Sequence, residues 1–583
     1  MVLPDKQYPD TNSPAEKKLL KVNNLSVNYR TGQDVIEAVR DVSFNLRARQ
    51  TLGIAGESGS GKTSIALAAM GLIGKPHETA GSVFYEEADI LSLSEEEQKK
   101  LRWSQPALVF QNALEVLNPV LSIGEQVAEP LKRHLSLSGK ELEAKLKELF
   151  ALVKLDFAWR KAYPHQLSGG MRQRALLAMA LSCSPRVLII DEPTSSLDAI
   201  ARKELLEMLK ALQEKLGFAM IVISHDLAAM QSLAEELIVI YSGEVVEEGP
   251  TKEIIEKPGH PYTRGLISSS VDVFPYKDLW GIPGDGAGAN SAACAFANRC
   301  TQAIELCRSK KPLLTELNHG RSVRCHRGGI ATILEGKSIS KEFRINGLRV
   351  KALQEVDINL CHGETVALVG VSGSGKSTLA HILSGLNRPD RGEVFFEDKK
   401  FDHRSPACQE HGIQLVLQDP FSSISHRLKV REAVIEPLVI NKIGSPEERY
   451  HRLARALQAV QLTAEEPFLE RFCHSLSGGQ RQRLAIARAL VMKPSILIAD
   501  EITSMLDVST QANLLRLLKS LQNERGFTML YITHDLPLAR KIAERIIVLH
   551  EGKIVEEGSA GRIAEQTCCR HTQGLFDAGL HRH

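Results

Sequence analysis

Two stretches of one pattern hold the residues best suited to chemistry: Gly56-Glu57-Ser58-Gly59-Ser60-Gly61-Lys62-Thr63 and Gly370-Val371-Ser372-Gly373-Ser374-Gly375-Lys376-Ser377. Both fit G-x-x-x-x-G-K-[ST], a loop that cradles a polyphosphate. The glycines let the backbone curl so that successive N–H groups point inward, and the helix that follows adds the partial positive charge of its N-terminus. The lysine then reaches the outer phosphates, and the Thr63 or Ser377 hydroxyl can ligate Mg²⁺. A chance glycine-rich turn explains one such match poorly and two in one chain not at all.

The loops need particular neighbours. Each follows an apolar run, Thr51-Leu52-Gly53-Ile54-Ala55 or Thr365-Val366-Ala367-Leu368-Val369, and leads into a helix-forming stretch. Asp191-Glu192 and Asp500-Glu501 each end another apolar run, at residues 187–190 and 496–499. A carboxylate placed there can hold Mg²⁺ directly or through water, and the next glutamate can polarise an attacking water. Taken alone, such acids are equally well solvated loop starts; the upstream phosphate loop favours the functional reading. His225 and His534 each lie 33 residues beyond that glutamate, in Ile-Ser-His-Asp-Leu and Ile-Thr-His-Asp-Leu. A lone histidine is usually structural, but matched placement points to a γ-phosphate contact.

These landmarks recur in the same order, so the chain is a duplication. Lys62 and Lys376 are 314 residues apart, whereas Ser168 and Ser477, Asp191 and Asp500, and His225 and His534 are each 309 apart. The first copy therefore has about five extra residues, most simply in the acid-rich stretch near residues 89–100. A period this long means two domains, not a solenoid. Runs that are apolar throughout suit strands buried on both faces of a parallel sheet, so each copy reads as α/β. Between the copies, residues 258–329 shift to turn-rich composition and carry four of the ten cysteines.

A chain of 583 residues exceeds one core. Its 43% hydrophobic and 24% charged residues are those of a globular protein. No apolar run approaches the roughly 18 to 20 residues of a membrane span, and the start shows no secretory pattern, so a cytosolic location is expected. The net charge of +2 offers no large field for nucleic acid.

Leu167-Ser168-Gly169-Gly170-Met171-Arg172-Gln173-Arg174 is matched by Leu476-Ser477-Gly478-Gly479-Gln480-Arg481-Gln482-Arg483. Both resemble the signature motif of ATP-binding cassette (ABC) ATPases, and the resemblance covers nearly the whole chain. It implies two tandem nucleotide-binding domains, each a RecA-like α/β core with a β subdomain and a helical subdomain, joined by a cysteine-bearing extension. It implies boundaries at 1–257, 258–330, 331–565 and a tail at 566–583. It implies ATP and Mg²⁺ at each loop, with Ser64 and Thr378 next in line, and Gln111 and Gln418 as Q-loop residues close to the metal. Asp198 and Asp507 match the D-loops, and Tyr29 and Phe343 match the aromatics that stack on adenine. It further implies that Lys62 shares its nucleotide with Ser477-Gly478-Gly479, followed by Gln480, and Lys376 with Ser168-Gly169-Gly170. Met171, Ile502 and Met505 replace the family's usual glutamine, proline and alanine. None of the three supplies the atoms that hold metal or activate water, so two hydrolysis-competent sites, unequal in rate, are expected.

Gly259-His260-Pro261-Tyr262-Thr263-Arg264-Gly265-Leu266, then Ile282-Pro283-Gly284, then Cys294, Cys300, Cys307 and Cys325, resemble the C-terminal extension of ATPases driving dipeptide, oligopeptide and nickel importers. The second copy keeps only His571-Thr572-Gln573-Gly574-Leu575. Two normally separate ATPase subunits thus look fused. Four thiols within about thirty residues suggest a soft metal. Some members of the resembled family carry a [4Fe-4S] cluster there, which is favoured over zinc and over four unligated thiols. The resemblance implies two permease subunits, an external solute-binding protein and a place on the cytoplasmic face of a bacterial inner membrane, with no nucleic acid. The rival reading is a twin-cassette ATPase acting on ribosomes.

Overall fold

In the computed structural model, the described residues are 18–32, 34–110, 116–195, 197–270, 281–282, 284, 292–318, 320–345, 348–401, 410–419, 424–504, 506–565 and 569–580. The chain divides into two compact units, the first made of residues 1–273, 286–297 and 305–329, the second of 274–285, 298–304 and 330–583.

The first unit is built on an eight-stranded sheet. Its spatial order is Leu314–Asn318, Arg321–Arg324, Glu244–Pro250, Glu236–Tyr241, Thr51–Ala55, Ala219–Ser224, Val187–Asp191 and Pro106–Val109. The strands from Glu236–Tyr241 to Pro106–Val109 are parallel. Every residue of Thr51–Ala55, Val187–Asp191 and Ala219–Ser224 is buried, as apolar runs sandwiched between helices should be. A separate antiparallel sheet carries Asp34–Arg47, Lys18–Thr31, Glu78–Tyr85 and Ala88–Asp89 in that order. The acid-rich stretch after it forms the helix Glu95–Leu101, started by Ser94 and Glu97 in a reciprocal capping box.

The segment read as a linker supplies an edge to the first sheet. Glu247 pairs with Val323 across the strands and is fully buried. Its carboxylate accepts the N–H groups of Gly259 (2.7 Å) and His260 (2.8 Å) and the Arg321 guanidinium (2.8 Å). A buried carboxylate persists only when paired in this way. Burial pushes the His260 imidazole down to about 3, so this ring is neutral, and its Nδ1 accepts the Tyr262 N–H at 3.1 Å to cap the helix Pro261–Ser268.

The second unit repeats the plan with six strands, Ile413–Val416, Ile496–Asp500, Thr528–Thr533, Thr365–Val369, Arg545–His550 and Lys553–Ser559. Only the last runs antiparallel to its neighbour. Leu348–Cys361, Thr332–Ile345, Arg391–Phe396 and Lys399–Lys400 form its antiparallel sheet. The helices Val430–Ile440, Pro446–Ala459 and Gly478–Leu490 bury Leu438, Leu453, Leu457 and Leu484 in one cluster. Truncating any one of these leucines to alanine costs about 2–5 kcal/mol.

Candidate active site

Each phosphate loop joins the central strand of its sheet to a helix, Lys62–Ala69 or Lys376–Leu383. Gly61 and Gly375 hold the turn at φ of 100° and 106°. A Cβ on Gly61 would lie 2.2 Å from the Ala38 carbonyl oxygen, and one on Gly56 2.3 Å from that of Ile240. No other residue type fits there. Gly370 and Gly375 are pressed equally hard, against Leu549 and Ala352.

Lys62 is buried, and its Nζ donates to the carbonyl oxygens of Gly56 (2.8 Å) and Glu57 (2.8 Å). Lys376 does the same to Gly370 (2.8 Å) and Val371 (3.0 Å). Burial lowers both ammonium pKa values, opposed by the carboxylates of Glu192 and Asp191 in one copy and of Glu501 and Asp500 in the other.

The Thr63 hydroxyl donates to Asp191 Oδ2 at 2.7 Å, and the Ser377 hydroxyl lies near enough to Asp500 to act against the rise that burial gives its pKa. Burial raises the pKa of both aspartates. Their Oδ1 atoms are buried and make no hydrogen bond among the described residues. A hydroxyl beside an orphaned carboxylate oxygen is a hard-oxygen donor set that fits Mg²⁺.

Glu192 and Glu501 sit in left-handed backbone, at φ of 52° and 44°, an unusual conformation for glutamate that aims the side chain back over the loop. Their surroundings differ. Glu192 Oε1 is 2.8 Å from His225 Nδ1 and accepts the His225 N–H at 3.2 Å, while Oε2 accepts the Ser224 hydroxyl at 3.2 Å. Glu501 is 3.7 Å from His534 Nδ1 and 3.6 Å from Lys376 Nζ. Among the described residues Thr533, at the place of Ser224, makes no bond to Glu501. The Tyr531 hydroxyl lies 3.1 Å from Thr503 Oγ1, and Thr533 is near enough to act on the same phenol. Valine 222 stands at the place of Tyr531 in the first copy, opposite Gly53 where Tyr531 is opposite Ala367.

Ser168 and Ser477 cap the exposed N-termini of the helices Gly169–Leu181 and Gly478–Leu490. Gln480 closes a capping box by accepting the Ser477 N–H at 3.1 Å, which Met171 has no atom to do. A Cβ on Gly478 would meet nothing within 4 Å, and one on Gly170 only Ala201 at 4.0 Å, so packing does not require these glycines. Asp198 and Asp507, expected near nucleotide, cap the helices Ala199–Leu216 and Val508–Arg525 by accepting N–H groups at 2.9–3.0 Å. Tyr29 meets the His77 ring edge-on at 4.9 Å, and Lys341 Nζ lies 5.8 Å over Phe343. Gln418 Nε2 donates to Ser504 Oγ at 3.4 Å. Gln111 and Met505 lie outside the described residues. The residues unremarked by the sequence reading are Ser224 and Tyr531, the first visible only as the residue before a matched histidine.

The iron–sulphur expectation is not supported. Among the described residues no group of three or more His, Cys, Asp or Glu side chains gathers at metal-holding distance. Cys294, Cys307 and Cys325 belong to the first unit and Cys300 to the second. Burial, with the neighbouring Cys307 and Cys325 adding to it, pushes the Cys294 thiol up to about 11, and Cys325 Sγ donates to the Gly329 carbonyl at 3.6 Å. The arrangement fits zinc no better, and no step is assigned to a metal there.

Residues 39–195 and 353–504 match the family described as ABC transporter, and residues 246–307 match the oligopeptide/dipeptide transporter C-terminal region. The chain is 35% identical over 577 residues to the glutathione import ATP-binding protein GsiA of Escherichia coli O157:H7, covering 96% of this chain and 89% of that one. It is 34% identical over 598 residues to the protein of that name from Salmonella paratyphi A, covering 98% and 91%. A solved ATP-binding cassette dimer in a post-hydrolysis state with ADP and Pi is 35% identical over 39% of this chain and 99% of its own, with a TM-score of 0.36.

Proposed function

This chain belongs to the ABC transporter family, whose cassettes are ATPases driving transport, and we propose that it carries both ATPase sites of an importer for peptides or a related small solute. The observation that carries the importer reading is the oligopeptide-type extension at 246–307 between two cassettes. Relatives named for import of glutathione, a tripeptide, support the same class.

ATP is read into each loop on the strength of its geometry. Lys62 and Lys376 leave the loop carbonyls for the outer phosphates, a shorter and stronger charge pairing. Thr63 with Asp191, and Ser377 with Asp500, would hold Mg²⁺, which when bound neutralises charge on the phosphates. Glu192 takes the proton of the attacking water, held in line by His225 and Ser224, and Glu501 does so in the second copy. Gln111 and Gln418 bear on the metal and the water from their loops. The exposed helix starts at Ser168 and Ser477 offer N–H groups and positive dipole to the γ-phosphate in the ATP-loaded form, and loss of that phosphate releases them. Tyr29 and Phe343 are the faces for adenine.

Among the described residues no helix is long and apolar enough to cross a membrane. The solute path therefore falls to two permease subunits, with an external binding protein delivering solute and this chain peripheral on the cytoplasmic face. Affinity purification from membranes followed by reconstitution tests the reading. The expected result is recovery of two integral membrane proteins and ATPase activity stimulated by peptide-loaded binding protein. Recovery with ribosomes instead, and no stimulation, would refute it.

A further inference from the structure

We infer that Tyr262, carried by the extension, is a positioning residue for the first phosphate loop and acts on Lys62 through the Gly56–Glu57 peptide. Tyr262 is fully buried, and its hydroxyl accepts the Glu57 N–H at 2.7 Å. The carbonyl of the same peptide, that of Gly56, accepts Lys62 Nζ at 2.8 Å. A trans peptide is planar with its N–H and C=O pointing opposite ways, so fixing one end fixes the other. The hydroxyl therefore braces the Gly56 carbonyl in the direction that receives Lys62. Glu57 spends its N–H on this bond, leaving the later N–H groups of the loop for phosphate.

The tyrosine is itself held firmly. Its ring lies 4.6 Å from that of Tyr241 and 5.6 Å from that of Phe296. Its helix is started by His260 and tied to the buried Glu247 through Gly259 and His260. The Gly56 side of the loop is already against the Ile240 carbonyl, so the loop is gripped between the sheet and the extension.

The second copy lacks the device. The rings at the corresponding places are His550 and His571, stacked at 3.8 Å, and His571 is exposed. Among the described residues no side chain takes the Val371 N–H, yet Lys376 rests on its carbonyls as Lys62 does. The extension thus tunes one site and not the other.

The inference rests on the reading that the Lys62 loop binds ATP. In a Lys376→Ala background, binding of a fluorescent ATP analogue reports the first site. There Tyr262→Phe, which keeps the ring and removes the hydroxyl, is expected to raise Kd roughly three- to tenfold, the worth of one hydrogen bond. Single-turnover hydrolysis at saturating ATP is expected to stay within about twofold, because the bond shapes the loop and not the attacking water. In a Lys62→Ala background, neither Tyr262→Phe nor His571→Phe is expected to move the Kd of the second site. An unchanged first-site Kd overturns the inference, as does equal weakening of both sites together with a lowered Tm, which marks a structural role. If the Lys376→Ala protein with Tyr262 intact binds no nucleotide, the assignment of the first loop itself fails.

Discussion

Tyr531→Phe is expected to make the second site faster while making the protein less stable. Tyr531 is fully buried, its hydroxyl lies 3.1 Å from Thr503 Oγ1, and Thr533 is near enough to act on the phenol. A threonine hydroxyl has one proton to donate; Thr533 accepts the Asp535 N–H at 3.0 Å, and the nearby Tyr531 phenol gives that proton an alternative to Glu501. In the first copy Ser224, beside an aliphatic Val222, gives that proton to Glu192 at 3.2 Å. Removing the phenol oxygen frees Thr533 to hold Glu501 as Ser224 holds Glu192, drawing the carboxylate away from Lys376, 3.6 Å distant. One hydrogen bond is worth about 0.5–1.5 kcal/mol net, so the hydrolytic step is expected to rise about two- to tenfold. The Thr503 hydroxyl loses its partner in a buried place, and stability is expected to fall by about 1 kcal/mol or somewhat more. Single-turnover hydrolysis in a Lys62→Ala background reads the rate, and urea denaturation reads the stability. A stability loss with an unchanged or slower rate would refute the argument that Tyr531 controls the base. The same substitution in a Lys376→Ala background should leave the first site's rate alone.

Glu192→Gln with Glu501→Gln should abolish hydrolysis while retaining ATP binding, since only the base is lost; full activity in the double variant removes both glutamates from that role. Met171→Gln supplies the missing reciprocal bond at Ser168 and is expected to stabilise the first unit by about 0.5–1 kcal/mol in denaturant titrations. Acid should weaken the first unit through His260: the unfolded imidazole takes up a proton below its ordinary 6.5, while the folded one resists until about 3. Within that window the unfolded state binds more protons, so stability falls as pH falls, by roughly 1.4 kcal/mol per pH unit, and His260→Asn, which keeps an N-cap acceptor, should flatten the fall. A pH dependence of urea midpoints that is identical in the variant excludes His260 as its source.

The parts of the fold legible in the sequence are those decided by near neighbours. Residues 51–55 and 187–190 read as buried strands because, Thr51 apart, they carry no polar side chain, and they are buried throughout. The phosphate loops read from glycines whose backbone leaves no room for a Cβ. What stayed hidden depends on partners far along the chain. Glu247 looks like a solvent-facing acid in a strand of acids, yet Arg321, 74 residues on, seals it in the interior. Tyr262 reaches Glu57 across 205 residues, and no local pattern announces that bond. The four cysteines have a spacing compatible with a chelate, but among the described residues no three of them gather at metal-holding distance.

The two copies agree in the residues that touch phosphate and differ in those just behind them. Lysine, aspartate, glutamate and histidine are present in both, while 222 and 531, 224 and 533, 171 and 480, and 262 and 571 have diverged. Ser224 reaches Glu192, Gln480 reaches Ser477 and Tyr262 reaches Glu57 each through a single hydrogen bond, worth on the order of 1 kcal/mol. Changes of that size alter a rate or an affinity by a few-fold and leave the chemistry intact, whereas loss of a base or a phosphate lysine would remove it. Fusion in one chain fixes the two sites at equal numbers, so each can drift in this second layer without meeting a copy of itself. The asymmetry at Glu192 and Glu501 then follows from ordinary packing around a shared mechanism: an aliphatic Val222 leaves the Ser224 proton to Glu192, and a buried Tyr531 sets a phenol beside Thr533.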